Sequence, residues 1–441
     1  MNIKNTLIFN VIVLSATSTL FGQWEPPSTY YQNATGTGAT LKNQLESAMS
    51  AGHIQATYGD FRFSAAIHDQ DPNNSSNIRL VYNNASVNST WDSGSTWNRE
   101  HVWPQSRQPG SASNGTRGNL GDPHALRPSS PGVNSSRGNN PFGFGDTTGS
   151  FGNNSGFWYT GDNCRGDIAR SIFYSDTRWS SEGLSLVNGT PSGNQMGDLS
   201  SLIEWHYLDP PDEFERRRNH TIFSSDFNPS FFTNNRNAYI DRPEFVWSVY
   251  VGQDNDSTLT IDGGQVFSDG SSVLVVDFGE VEVGDQINTT IPITINKTGL
   301  DGTYYSISCE GDATSADEGR YNAFPIGSFA NEQITVSLNF NANVTGTYSG
   351  NIVIDNLDVT NQGGLGSGAN DGDDIIVLSL EVVEAFVLGD INCDGVVNLL
   401  DVDPFVDLIA IGGFLEKADI NDDGAVNLLD VEPFVVLLSG V

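Results

Sequence analysis

Two adjacent residues, Glu100 and His101, lie in the stretch Trp97-Asn98-Arg99-Glu100-His101-Val102-Trp103-Pro104-Gln105-Ser106. An imidazole with an ordinary pKa near 6.5 is a neutral base at pH 7. Neighbours on a strand point to opposite faces, so the pair can reach different things. Alone, a Glu-His dipeptide is common and a single histidine is usually structural. Two further blocks follow: Gly121-Asp122-Pro123-His124-Ala125-Leu126-Arg127-Pro128 and Gly132-Val133-Asn134-Ser135-Ser136-Arg137-Gly138-Asn139. They add amide, carboxylate and guanidinium groups. The chemistry the histidine suits is general-base activation of a water.

The three blocks match the patterns REHxxPxS, DxHxLxP and VNxxRxN, in that order. Together they resemble the endonuclease I family of exported, non-specific nucleases, which carry a ββα-metal (His-Me finger) site. Later segments fit as well: Arg165 to Arg170, Leu202 to Trp205 before Asp212, and Asn237 to Phe245. The resemblance covers nearly all of 23–252. It implies that Glu100 holds a Mg²⁺ ion, with Asn134 as second ligand from the helix of the motif. It implies that His101 takes the proton of the attacking water and that the product carries a 5′-phosphate. An ion held by one carboxylate and one amide keeps several waters and can accept phosphate oxygens. It then stabilises the pentavalent phosphate and the departing oxygen.

Arg117 lies in an Asn-Gly-Thr-Arg loop where the family places an arginine on the scissile phosphate. The linking segment is shorter here, and Arg107 is the rival. Asp122 and His124 are expected to brace the metal-site loop, with Ala125 standing where the family commonly has Asn. Arg137 and Asn139 are candidates for phosphate contact or for support behind the ligands. Of the 16 basic residues in 23–252, 15 are Arg, whose forks match phosphate oxygens. The run Arg216-Arg217-Arg218 either lines a backbone-binding groove or forms a solvated helix face paired with Asp212, Glu213 and Glu215. Nothing suggests base-edge recognition, so cleavage is expected to depend little on sequence. The expected substrate is DNA, with RNA as a further one.

A second set of oxygen ligands forms an internal repeat, GDINCDGVVNLLDVDPFVDLI from Gly389 and ADINDDGAVNLLDVEPFVVLL from Ala418. Asp390, Asn392, Asp394, Asn398 and Asp401 fall at calcium-loop positions 1, 3, 5, 9 and 12. Gly395 stands at the turn, and the Val396 carbonyl is available at position 7. In the second copy these slots hold Asp419, Asn421, Asp423, Ala425, Asn427 and Asp430, with Gly424 at the turn. Position 12 is Asp rather than the Glu of an EF-hand, and a helix is expected to leave each loop rather than enter it. The repeat over 388–441 resembles a type I dockerin. That implies two Ca²⁺ ions and a protein partner, a cohesin or an equivalent cell-surface anchor.

Other elements must position these groups. Leu41 to Ala48 and Gly166 to Ser175 have helical spacing, with Ile168, Ile172 and Phe173 on one face. Long Gly/Asn/Ser/Pro loops separate them, at 107–121 and 128–157. Over 270–385 the runs 272–279, 290–295, 333–340, 348–354 and 374–382 alternate apolar and polar residues, an all-β sandwich signature. DFGEVEVGD at 277–285 resembles immunoglobulin-like modules of bacterial exported proteins. Residues 253–269 read as a linker. At the start, Lys4 and the apolar run Leu7 to Leu14, then small residues to Gly22, read as a secretory signal peptide over 1–22. No later stretch is long and apolar enough to span a bilayer. The three cysteines, Cys164, Cys309 and Cys393, are too scattered for a disulfide framework.

The expected architecture is therefore multidomain. It comprises an α+β ββα-metal domain at 23–252, an immunoglobulin-like sandwich and a small helical calcium-binding domain, exported as a secreted or cell-surface protein. The 441 residues carry a net charge of −34, yet 23–252 holds 22 acids against 16 bases. From residue 253 onward there are 32 acids and three bases. Bulk acidity, which argues against phosphate binding, thus belongs to the C-terminal half. The rival to a nuclease is a catalytically inactive adhesion or scaffold protein carried by the dockerin-like module.

Overall fold

The computed structural model describes residues 24–143, 149–360 and 371–439. The expected signal peptide lies outside them. Among the described residues no helix is long and apolar enough to cross a membrane, and all three cysteines are free.

The N-terminal body is built on helices α1 (Gly38–Ser50), α2 (Phe61–His68), α3 (Pro131–Arg137), α4 (Arg165–Arg178), α5 (Leu199–Leu208) and α6 (Glu213–Phe223). Helix α1 buries Leu41, Leu45 and Met49, spaced four apart on one face. It packs on α4, which is buried nearly all round and also meets α5. A small sheet of β1 (Gln70–Asp71), β2 (Asn74–Arg79) and β3 (Ser86–Asn88) lies to one side. Strand β4 (Asn98–His101) pairs antiparallel with β5 (Leu126–Ser129), and α3 follows, with Pro131 at its first turn. This ββα unit rests on an apolar cluster of Phe61, Ala65, Ile78, Leu80, Trp97 and Leu126.

Buried ion pairs clamp β5 from behind. Asp69 accepts from Arg218 at 2.7 Å, and Arg127 pairs with Asp167 and lies 3.7 Å from Asp69. Arg170 grips Glu215 at 2.5 Å. Removing one partner of such a pair leaves an uncompensated buried charge, costing about 3–5 kcal/mol. Neither expectation for the triple-arginine run describes what is found. Arg218 is buried and also donates to the Pro123 and Leu126 carbonyls at 2.8 and 2.7 Å. Arg217 meets Gln70, and Arg216 lies over the Tyr321 ring. Helix α6 packs against α2, so Arg218 is drawn into the interior, Arg216 and Arg217 stay half-buried, and all three serve the scaffold.

Two sheets then face each other over one core. The four-stranded sheet takes Thr258–Ile261, Thr290–Thr298, Ala330–Leu338 and Ala313–Ser315 in that spatial order. The six-stranded sheet runs Gln265–Val266, Ser272–Glu282, Asp374–Val383, Gly346–Asn356, Thr303–Gly311, Gly319–Phe324. The segment expected as a linker, 253–269, differs from that expectation. Thr258–Ile261 pairs with Thr290–Thr298, and Gln265–Val266 pairs with Ser272–Glu282. Leu259 and Ile261 are buried, and their alternation with threonine marks a one-sided strand too short to stand out.

This β body is fused to the first. Tyr304, Ala323 and Leu357 belong to the apolar cluster of the N-terminal body. The Tyr304 hydroxyl donates to the His206 carbonyl at 2.6 Å, Tyr207 donates to Asp358, and Arg320 pairs with Glu244 at 2.9 Å.

The C-terminal repeat holds helices Val402–Ile411 and Val431–Ser439, with Phe405 and Phe434 in contact at 4.3 Å between ring centroids. Asp390 accepts backbone N–H groups of Asp394 and Gly395, and Asp401 accepts those of Ile391, Asn392 and Asn398. Asp419 and Asp430 repeat this with Asp423, Gly424, Asn421 and Asn427. Gly395 and Gly424 sit at φ 86° and 85°, where a side chain would be strained. Among the described residues no three or more His, Cys, Asp or Glu side chains group as a metal site.

Candidate active site

Strand β4 ends at the site, and its alternation sends successive side chains to opposite faces. Asn98 and Glu100 face α3. Asn134 Nδ2 donates to Asn98 Oδ1 at 2.8 Å, and Arg137 reaches Glu100 Oε1 at 3.3 Å. Asn134 and Arg137 are one helical turn apart, so both lie on the helix face turned to the strand. Asn134 is half-buried and Glu100 is buried. The Glu100 carboxylate also accepts from Tyr82 Oη at 2.7 Å, again on Oε1. Both donors thus grip one oxygen. Burial raises the Glu100 pKa, and the Arg137 charge and Tyr82 hydroxyl pull it back.

His101 occupies the other face. Its Nε2 lies 3.0 Å from the Leu120 carbonyl. A carbonyl only accepts, so Nε2 carries the hydrogen and the neutral ring keeps its lone pair on Nδ1. The Tyr58 ring stacks on the imidazole at 4.8 Å between centroids and 21° between planes. Burial lowers the His101 pKa to about 4; the Leu120 hydrogen bond opposes this, and the charges of Arg99 and Arg137 add to it. At pH 7 the ring is a neutral base.

Both supports of His101 come from docked loops. Tyr58 N donates to the Thr116 carbonyl at 2.7 Å and Gly59 N to the Asn114 carbonyl at 2.9 Å. A side chain at Gly121 would place a Cβ 2.7 Å from the Ala56 and Thr116 carbonyl oxygens, so only glycine permits this approach. Arg117 lies on the same loop, exposed, donating to the Gln55 carbonyl. Arg107 is tied to the carbonyls of Asn139, Pro191 and Gln195. Neither arginine touches Glu100, His101 or Asn134 in these contacts. Arg99 does press on His101 electrostatically, and its guanidinium lies 3.5 Å from the Tyr58 ring centroid.

Asp122 accepts from Tyr174 at 2.7 Å and Trp179 at 3.0 Å, and His124 meets the Asn235 carbonyl at 3.2 Å. Both are buried and fasten the loop before β5 to α4 and to the 235–237 segment. Asn139 is exposed, with its carbonyl on Arg107.

Residues 35–244 match the family model described as Endonuclease I. The chain is 34% identical over 237 residues to the extracellular ribonuclease of Bacillus subtilis (strain 168), spanning 50% of this chain and 78% of that protein. It is 35% identical over 240 residues to the extracellular ribonuclease of Bacillus amyloliquefaciens, with the same shares. The chain belongs to the endonuclease I family. It is a nuclease, an enzyme that hydrolyses phosphodiester bonds, with further β-sheet material attached. Endonuclease I chemistry generally uses a divalent metal. In this endonuclease I member the motif blocks hold Glu100, His101 and Asn134 and, in Arg137, one of the groups that aim them, but not the others. Tyr58 and Tyr82 lie well outside the motif and carry no local pattern. Arg99 stands inside it, and its phase with His101 on β4 was the available clue.

Proposed function

We propose that this chain is an exported, Mg²⁺-dependent, non-specific endonuclease that cuts DNA and RNA to 5′-phosphate products. The reading rests above all on one observation: a neutral His101 with Nε2 pinned by the Leu120 carbonyl, one residue from a buried Glu100 held by a single oxygen. In this reading His101 Nδ1 removes the proton of the attacking water. Glu100 and Asn134 would hold the Mg²⁺; the Oε1 anchorage of Glu100 leaves Oε2 for it, and the Asn134 amide, oriented through Nδ2, offers Oδ1. The ion, when bound, supplies charge relief at the phosphate and the departing 3′ oxygen. Arg117, exposed on the loop that positions His101, takes the scissile phosphate after leaving the Gln55 carbonyl, and Arg99 supports it from the strand. RNA enters the reading because both relatives are ribonucleases by name, and export because both are extracellular.

The C-terminal repeat is read as a dockerin-like anchor binding two Ca²⁺ through Asp390, Asn392, Asp394, Val396, Asn398 and Asp401, and through Asp419, Asn421, Asp423, Ala425, Asn427 and Asp430. Leu399 and Leu400 are exposed, as are their counterparts Leu428 and Leu429. Such paired apolar side chains suit a cohesin-like or cell-surface protein partner. The body between is read as immunoglobulin-like. Incubation with plasmid DNA and with single-stranded RNA, with Mg²⁺ and with chelator, tests the enzymatic reading. Metal-dependent cleavage of both is expected; cleavage that survives in His101→Ala would overturn the assigned base.

A further inference from the structure

Beside the catalytic pair runs a surface that this chemistry does not use. Tyr58, stacked on His101, is followed by Gly59, whose carbonyl accepts from Arg62 Nε at 2.8 Å. The Arg62 guanidinium lies over the Phe63 ring, 5.1 Å from its centroid. Phe63 in turn stacks with Phe231 at 6.2 Å and 18° between planes. Arg99 stands on the flank between the rings of Tyr58 and Trp91, at 3.5 and 5.1 Å.

The position of Phe63 is unusual for its type. Helix α2 buries Phe61, Ser64, Ala65 and His68 and turns Phe63 outward, 54% exposed. A single exposed phenylalanine needs no explanation. Here two rings are parallel and a guanidinium caps one of them. Through the Gly59 carbonyl the series adjoins Tyr58, whose ring is stacked on His101. The acid within it, Asp60, is turned back on its own turn, accepting from the Thr57 N–H at 2.8 Å. Flat rings alternating with arginine forks fit one ligand chemistry: unpaired bases, which stack on aromatic faces, joined by phosphates, which take the forks. In a duplex the bases already stack on one another and offer no free faces.

We propose that the surface from Arg62 to Phe63 and Phe231, beginning just past the Tyr58 ring whose two faces His101 and Arg99 already cover, is a stacking track for unpaired bases flanking the scissile bond, so that single-stranded nucleic acid is the preferred substrate class. This rests on the nuclease reading above and adds strandedness to it. Phe63 and Phe231 touch none of the groups assigned to catalysis, so they are positioning residues for substrate.

The experiment compares the full chain with the double variant Phe63→Ala/Phe231→Ala on three substrates of equal length: a single-stranded oligonucleotide, the same strand with abasic sites flanking the cleavable bond, and a duplex. The variant is expected to raise KM for the intact single strand by about tenfold, as loss of base–aromatic stacking does. kcat should hold, and KM for the abasic strand and the duplex should be unchanged. Equal losses on all three substrates, or no loss on the first, would overturn the track. Phe63→Tyr keeps a ring at the site and should retain most of the affinity; failure of that rescue also counts against stacking. If the wild type cleaves none of the substrates, the nuclease reading itself falls; if it cleaves but the double variant matches it, only the track does.

Discussion

Two regions of this chain orient buried carboxylates, and they do so by opposite means. Glu100 is buried and oriented by Tyr82 and Arg137, one on the segment after β2 and one on α3, with the partner strand β5 clamped by Asp69 and Arg218. In the C-terminal repeat, Asp390 and Asp401 are oriented by backbone N–H groups within their own loop. The first arrangement depends on the packing of a whole body. The second is complete within one loop. A site assembled from distant parts can be tuned by parts that never touch the substrate, whereas a local loop can be copied, as it has been here.

The largest effect that bears on this contrast is loss of the base. His101→Ala should lower kcat by two to four orders of magnitude, leaving thermal unfolding and calcium response of the repeat unchanged; plasmid nicking and calorimetry measure the two. Next comes acid. His124 is held at about 4 by burial, against about 6.5 in an unfolded chain. The unfolded state therefore takes up its proton first, and stability present above pH 6.5 is lost as pH falls toward 4. That amounts to about 3 kcal/mol from this group. The unfolding transition of the nuclease body should drop over this range, and His124→Gln should flatten the dependence. The repeat, which contains no histidine, should not share it.

Calcium should act on the other side of the comparison. At about a hundredfold excess over its dissociation constant it should stabilise the repeat by roughly 2.7 kcal/mol per site. Scanning calorimetry of the full chain would show this as one transition moving while the other stays; two static transitions would remove calcium from the account. The smallest effect is the sharpest. Tyr82→Phe removes one hydroxyl from Glu100 and should raise the Mg²⁺ concentration for half-maximal rate about tenfold. KM for nucleic acid should not change. An equal loss at saturating Mg²⁺ would mean that Tyr82 serves something other than the carboxylate.

What could be read from the chain alone follows the same division. The repeat was legible as a fold unit because its acid and amide spacing, turn glycine and exit helix follow one another along each copy and recur in register. The placement of Glu100, His101 and Asn134 on one strand–strand–helix unit was legible because three short blocks occur in order, and helices α1 and α4 announced themselves by apolar spacing. Tyr58 and Tyr82 were not, since nothing local marks a ring that will stack on His101 or a hydroxyl that will meet Glu100. The Arg216–Arg218 run misled because its three neighbouring acids suggested local pairing. Arg218 instead found Asp69, and Glu215 found Arg170, across the fold. Thr258–Ile261 was passed over because a four-residue strand with two threonines resembles a loop until its partner is known.

The buried seam of Tyr207, Tyr304 and Asp358 joins the enzyme and the β body through shared apolar and hydrogen-bonded contacts, like a handle on a blade. The leash between that handle and the C-terminal repeat is then only the short stretch from Val383 to Gly389, with Phe386 fastened to Glu282 and Gly389 to the Lys417 carbonyl. Under the anchoring proposed for the repeat, the catalytic face would stay close to its mooring, and polymers farther off would have to come to it.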